Sequence, residues 1–156
     1  MGVSGSGKTT VGRGFAETVG WAFEEGDRWH PPANVEKMRS GRPLDDADRW
    51  PWLDALADAI GEWVAADRRT VLACSALKQA YRERLSAARP EVAFAYLKGT
   101  PELVGSRVSS RCHEYMPPTL LPSQFATLEE PSGAIVLDIQ EPPAELIRQL
   151  RDTLGV

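Results

Sequence analysis

The sequence predicts a three-layer α/β domain built on a parallel sheet. Two patterns carry that prediction: short apolar, β-rich runs alternate with amphipathic helical stretches, and the alternation persists from one end of the chain to the other. Such an order demands parallel βαβ crossovers, with helices covering both faces of the sheet. A chain of 156 residues suits one domain, and 42% hydrophobic content is enough for a core that the 26% charged residues can cover. Residues 1–156 therefore read as one unit, with no repeat, low-complexity tract or linker to divide them.

Taken in order, Lys8 to Val19 reads as a helix because Val11, Phe15 and Val19 recur every four residues on one stripe. Trp21 to Glu24 reads as a strand stopped by Gly26. Asn34 to Ser40 reads as a short helix between His30-Pro31-Pro32 and Gly41. Pro51 to Ala66 reads as a long helix, with Leu53, Leu56, Ile60, Trp63 and Val64 on its apolar face and Pro51 in its first turn. Thr70–Cys74, Val92–Leu97 and Ala134–Ile139 read as buried strands. Leu77–Ala88, Glu102 to about Arg111 and Ala144–Leu154 read as the intervening and closing helices. Cys112 to Pro131, rich in prolines and polar groups, departs from the pattern, offers no strand and reads as a mobile functional flap.

Charge and composition exclude several classes. With 18 basic against 22 acidic residues the net charge is −4, which argues against a nucleic-acid-binding face. No apolar run approaches the length of a membrane span, so no membrane association is expected, and the N-terminus lacks the features of a secretory signal. Cys74 and Cys112 show neither zinc nor disulfide spacing, as suits a cytoplasmic protein.

The strongest chemical motif is Gly2-Val3-Ser4-Gly5-Ser6-Gly7-Lys8-Thr9, a full match to G-x-x-x-x-G-K-[ST]. Its glycines let backbone N–H groups converge on phosphate oxygens, Lys8 reaches the β/γ-phosphates, and the Thr9 hydroxyl suits Mg²⁺. The nucleotide set is therefore Gly2 to Thr9 together with Thr10, and ATP with Mg²⁺ is the expected cofactor pair. A buried parallel strand normally leads into such a loop, and here only Met1 precedes Gly2. The expected consequence is open edges on the neighbouring strands, with the chain start assigned at an internal Met.

Asp27, in Glu25-Gly26-Asp27 at the ligand edge of the sheet, is the candidate general base. His30, Asn34 and Lys37 offer donors for a polyhydroxylated anion, and Arg49 suits a substrate carboxylate. The acids Asp45, Asp46 and Asp48 read as helix caps. Lys78, Tyr81 and Arg82 read either as ligand contacts or as a solvated helix face. Cys74 reads as a small buried apolar side chain, and the five tryptophans as packing. Arg107 and Arg111, four apart just before the flap, are candidate phosphate clamps.

Assembled, these residues resemble the gluconokinase family of small P-loop carbohydrate kinases. GVSGSGKTT resembles the family's phosphate loop. EGDRWHPPANVEKMRSGRPLDDADRWPWL resembles its GD-x-x-H-x-x-x-N-x-x-KM-x-x-G-x-PL-x-D-x-DR-x-PWL signature, ACSALKQAYRERL its CSALK-x-x-YR-x-x-L segment, YLKG its fourth strand and LLPSQFATLEEP its lid. The resemblance implies a P-loop NTPase fold like the nucleoside-monophosphate and shikimate kinases, with a substrate-binding insert at about 28–50 and a lid at about 107–131. It implies ATP-dependent phosphorylation of D-gluconate at its 6-hydroxyl with Mg²⁺, and a homodimer. Lys8, Asp27 and Arg111 would be catalytic. His30, Lys37, Arg49 and Lys78 would join Asp27 on the substrate side, Thr9 would meet the metal, and Arg107 and Arg111 would face the nucleotide. The alternatives are another small-molecule kinase, such as a shikimate-type enzyme, or a nucleotide-binding homologue with impaired catalysis. Three positions depart from the family pattern. The leading strand is absent, Glu25 stands where relatives carry Asp, and the lid reads Arg111-Cys112-His113-Glu114-Tyr115, with Glu114 in the usual His slot.

Overall fold

A computed structural model describes residues 1–109 and 120–156. Helix α1 (Lys8–Val19) leads into strand β1 (Ala22–Glu25), a 3₁₀ turn at Gly26–Trp29 and helix α2 (Pro32–Arg39). Helix α3 (Asp46–Ala65), strand β2 (Thr70–Ala73), helix α4 (Gln79–Ser86) and strand β3 (Ala95–Lys98) follow. Helices α5 (Pro101–Ser109) and α6 (Leu121–Thr127), strand β4 (Ile135–Asp138) and helix α7 (Pro143–Leu154) complete the order.

The strands form two parallel pairs. β1 lies beside β2 with Phe23 opposite Val71, and β3 lies beside β4 with Leu97 opposite Leu137. Met1 and Gly2 bridge the pairs. The Met1 amine donates to the Ala95 carbonyl, the Leu97 N–H donates to the Met1 carbonyl at 3.0 Å, and the Gly2 N–H donates to the Ser75 carbonyl at 3.1 Å. Beside these two residues, β2 and β3 stand apart around a cavity of about 490 Å³ lined by Phe15, Ile60, Val71, Leu72 and Phe94. The open inner edges expected from the sequence are the walls of this slot.

Period-2 alternation divides the core between the two faces. Adjacent residues of β3 show it: Leu97 packs with Val11, Phe15, Val104, Leu146 and Leu150 beneath α1, α5 and α7, while Tyr96 packs with Trp52, Leu53, Leu56 and Leu85 beneath α3 and α4. These are the three predicted layers.

Strand β3 begins at Ala95, three residues later than expected, and two further elements differ more. Helix α3 begins at Asp46, five residues ahead of Pro51, which sits inside it. A capping box explains the early start: the Asp45 carboxylate accepts the Asp48 N–H and the Asp48 carboxylate accepts the Asp45 N–H, both at 2.9 Å. Satisfied there, the chain turns a full helical turn before the proline. The expected flap also contains a helix. In α6, Pro122 occupies the first turn, where a missing N–H leaves nothing unpaired.

Candidate active site

The loop preceding α1 is shaped by glycine. Gly5 and Gly7 have φ of 80° and 96°, backbone that other residues adopt only under strain. Gly7 is also the N-cap of α1. Their conformations turn N–H groups toward one centre, at the helix end where the dipole favours an anion. Lys8 curls back across the loop and donates to the Val3 carbonyl at 2.9 Å. Its ammonium is held below its ordinary pKa by desolvation, against which Asp27, Cys74 and Glu25 pull upward. From above, α6 reaches the loop, where Gln124 Oε1 accepts the Ser4 N–H at 2.6 Å.

The end of β1 brings carboxylates to the start of α1. Thr9 Oγ1 donates to Glu25 Oε2 at 2.8 Å, and burial pushes the Glu25 carboxyl above its ordinary range against that bond. The Thr9 hydroxyl bonded to the Glu25 carboxylate, on which the Asp27 charge also acts, is a hard oxygen pair that suits Mg²⁺ completed by phosphate oxygens. No cluster of three or more His, Cys, Asp or Glu forms a self-sufficient metal site among the described residues.

A small cavity of about 60 Å³ joins this loop to the substrate side, and Ser4, Lys8, Asp27, His30, Arg49 and Gln124 all line it. Trp52 fixes its floor, donating from Nε1 to the Gly26 carbonyl at 2.8 Å and stacking on the His30 ring with 4.1 Å between centroids. Burial pushes the His30 pKa down to about 4, with Asp27 opposing and Arg49 assisting, so the imidazole is neutral at pH 7. Asn34 Nδ2 donates to the Asp48 carbonyl at 2.7 Å, which identifies it as the amide nitrogen. The same nitrogen lies 3.4 Å from His30 Nδ1, assigning that atom as acceptor and Nε2 as the protonated one.

Of the predicted substrate-side residues, the fold gathers Asp27, His30 and Arg49 around this cavity. Lys37 turns instead to Asp45 and Asp48 of the capping box, and Lys78 to both oxygens of Asp46 at 2.9 and 2.8 Å. Neither lysine lines the cavity. Arg107 donates to the Ile139 carbonyl at 2.7 Å, while Arg111 and the altered lid sequence around it lie outside the described residues. Arg82 is neither a solvated nor a ligand-facing side chain: it is 4% exposed and donates to the Ala76 and Leu77 carbonyls at the foot of α4. The Cys74 thiol is buried and pushed up to about 12, inert as expected. Tyr81, one of the three residues read either as ligand contacts or as a solvated face, lines the cavity, and Gln124 lines it without having been given a role; its signal was position, in the proline-rich stretch.

Fold and site together define a P-loop kinase acting on a small molecule: a glycine loop at a helix N-terminus, with a carboxylate and a cationic pocket across from it. No protein-family model matches the chain. It is 51% identical over 131 residues to a gluconokinase of Gluconobacter oxydans, covering 84% of this chain and 74% of that one. An unliganded sugar kinase from Janibacter superimposes with a TM-score of 0.94 at 44% identity, covering 100% of this chain and 92% of that one. A gluconokinase from Sinorhizobium meliloti 1021 does so with a TM-score of 0.86 at 44% identity, over 99% and 89%. The chain belongs to the gluconokinase family.

Proposed function

We propose that this chain transfers the γ-phosphoryl group of ATP to the 6-hydroxyl of D-gluconate, giving 6-phospho-D-gluconate. The observation that carries the reading is the single cavity in which loop, Asp27, His30 and Arg49 meet. Loop N–H groups and Lys8 hold the β/γ-phosphates. Thr9 and Glu25 would hold Mg²⁺, which offsets phosphate charge when bound. Asp27 accepts the hydroxyl proton as the sugar oxygen bonds to phosphorus and the bond to ADP breaks. Neutral His30 donates from Nε2 to a substrate hydroxyl, and Arg49 pairs with the carboxylate. A neutral sugar would leave that guanidinium unmatched, which gives selectivity for an acid.

In this reading residues 28–50 are the substrate-binding insert and residues 107–131 the lid, with Arg107 and Arg111 toward the nucleotide and Lys37 and Lys78 held in reserve by their aspartate partners. No helix among the described residues is long and apolar enough to cross a membrane, and we place the enzyme in the cytoplasm, as a homodimer. The test is ADP release from the purified protein with Mg·ATP and a panel of acceptors. Gluconate-dependent turnover, nearly abolished by Lys8→Ala, is expected. Turnover that ignores gluconate and follows shikimate, a nucleoside monophosphate or a neutral polyol overturns the assignment.

A further inference from the structure

The first turns of α3 and α4 meet beside the cavity, each contributing two side chains three residues apart: Asp46 and Arg49 from one, Lys78 and Tyr81 around the start of the other. Two cations flank one phenol ring there, the Arg49 guanidinium carbon 5.7 Å and the Lys78 ammonium 5.6 Å from the Tyr81 centroid. The anion among the four is Asp46. It accepts both Lys78 contacts, accepts the Tyr81 hydroxyl and lies 3.6 Å from Arg49 Nη1. Arg49 Nη1 also donates to the Tyr81 hydroxyl at 3.2 Å. One corner of the guanidinium is thereby engaged, while Nε and Nη2 have no hydrogen bond among the described residues. Arg49 and Tyr81 line the cavity, whereas Asp46 and Lys78 stand behind them.

Resting on the assignment of Arg49 to the substrate carboxylate, we propose that Asp46 and Tyr81 are positioning residues that set the preference for a sugar acid. They anchor Nη1, so that the remaining N–H edge faces the cavity as a preformed two-point receptor for a carboxylate. Asp46 also keeps Lys78 from repelling Arg49 out of place. A cap alone would not need this convergence: Asp45 and Asp48 already close the capping box of α3.

The test compares steady-state kinetics on D-gluconate and on its neutral counterpart D-glucitol, with melting temperature measured alongside. Asp46→Asn keeps shape and removes charge. It is expected to raise KM for gluconate about tenfold, leave kcat and the KM for ATP within about threefold, and narrow the preference over glucitol. Tyr81→Phe should move the same quantities in the same direction by about threefold. Asp54→Asn, which breaks the exposed pair with Arg84 between the same two helices, should change none of them. An unchanged gluconate KM in Asp46→Asn overturns the proposal, as does a lowered KM, which would make Asp46 a competitor for Arg49. A loss of kcat and melting temperature with the acid preference intact reduces the cluster to a structural brace and overturns it too. Should the wild-type protein fail to phosphorylate gluconate, the underlying assignment falls first, an outcome visible before any variant is made.

Discussion

Replacing Gly5 by alanine separates two things that glycine does in the phosphate loop. At Gly5 a Cβ would stand 2.3 Å from Val108 Cγ2 and 3.3 Å from Val104 Cγ1, both from α5. At Gly7 the nearest atom, Leu97 Cδ2, is 3.9 Å away. Both have positive φ, so each alanine carries a backbone penalty of about 1–2 kcal/mol. Only Gly5→Ala adds overpacking against two valines that are 0% and 3% exposed and have little room to retreat; such a clash costs about 1–3 kcal/mol more. The expected losses are therefore about 1–2 kcal/mol for Gly7→Ala and about 2–5 kcal/mol for Gly5→Ala. In a chain of this size the difference corresponds to a melting point lower by roughly 2–12 °C. Urea denaturation of both variants gives it directly. Equal stabilities would refute the packing of α5 beneath the loop.

Further outcomes follow from other parts of the fold. Asp45→Ala removes one half of the α3 capping box and should cost about 1 kcal/mol, read as a lower urea midpoint at unchanged slope. Because the folded pKa of His30 lies at about 4, below its ordinary 6.5, the unfolded chain binds the extra proton between those values. Its contribution is therefore complete above about pH 6.5 and lost as the pH falls toward 4. His30→Gln should flatten that part of the stability profile relative to the wild-type chain, and an identical profile would contradict a buried neutral ring. Joining Val-Ile-Val-Val to the Met1 nitrogen should place an extended segment of about 13 Å between β2 and β3, where the 490 Å³ slot offers apolar walls and two open edges. A melting point about 5 °C or more above that of a Gly-Ser-Gly-Ser extension is expected; equal values would show that the slot does not accept a strand.

Much of this was legible before any coordinate. Helix α1 and the three later strands announced themselves through spacing and β-branched runs, because burial on one stripe or both faces leaves a periodic trace. The glycine loop was legible for a different reason, since the conformations it needs are open to few residue types. What escaped was tertiary. Pro51 resembled a helix start until the Asp45–Asp48 box moved that start upstream, and the proline-rich stretch concealed α6, whose first turn tolerates one proline. Asp46 read as one more acid at a helix N-terminus; only the meeting of α3 with α4 turns it toward Lys78, Tyr81 and Arg49. Lys37 and Lys78 carried the right charge in the right region, yet each found an aspartate nearer than the cavity.

The proposed transfer rests on Asp27, which shares the cavity with Ser4 and Lys8 of the loop, accepting the sugar-acid proton. The direct measurement is made on Asp27→Asn, with gluconate turnover followed by ADP release and Mg·ATP affinity by calorimetry. A fall of about 100-fold or more in kcat, with nucleotide affinity changed by less than about threefold, is the predicted result. Turnover that survives the substitution would contradict it.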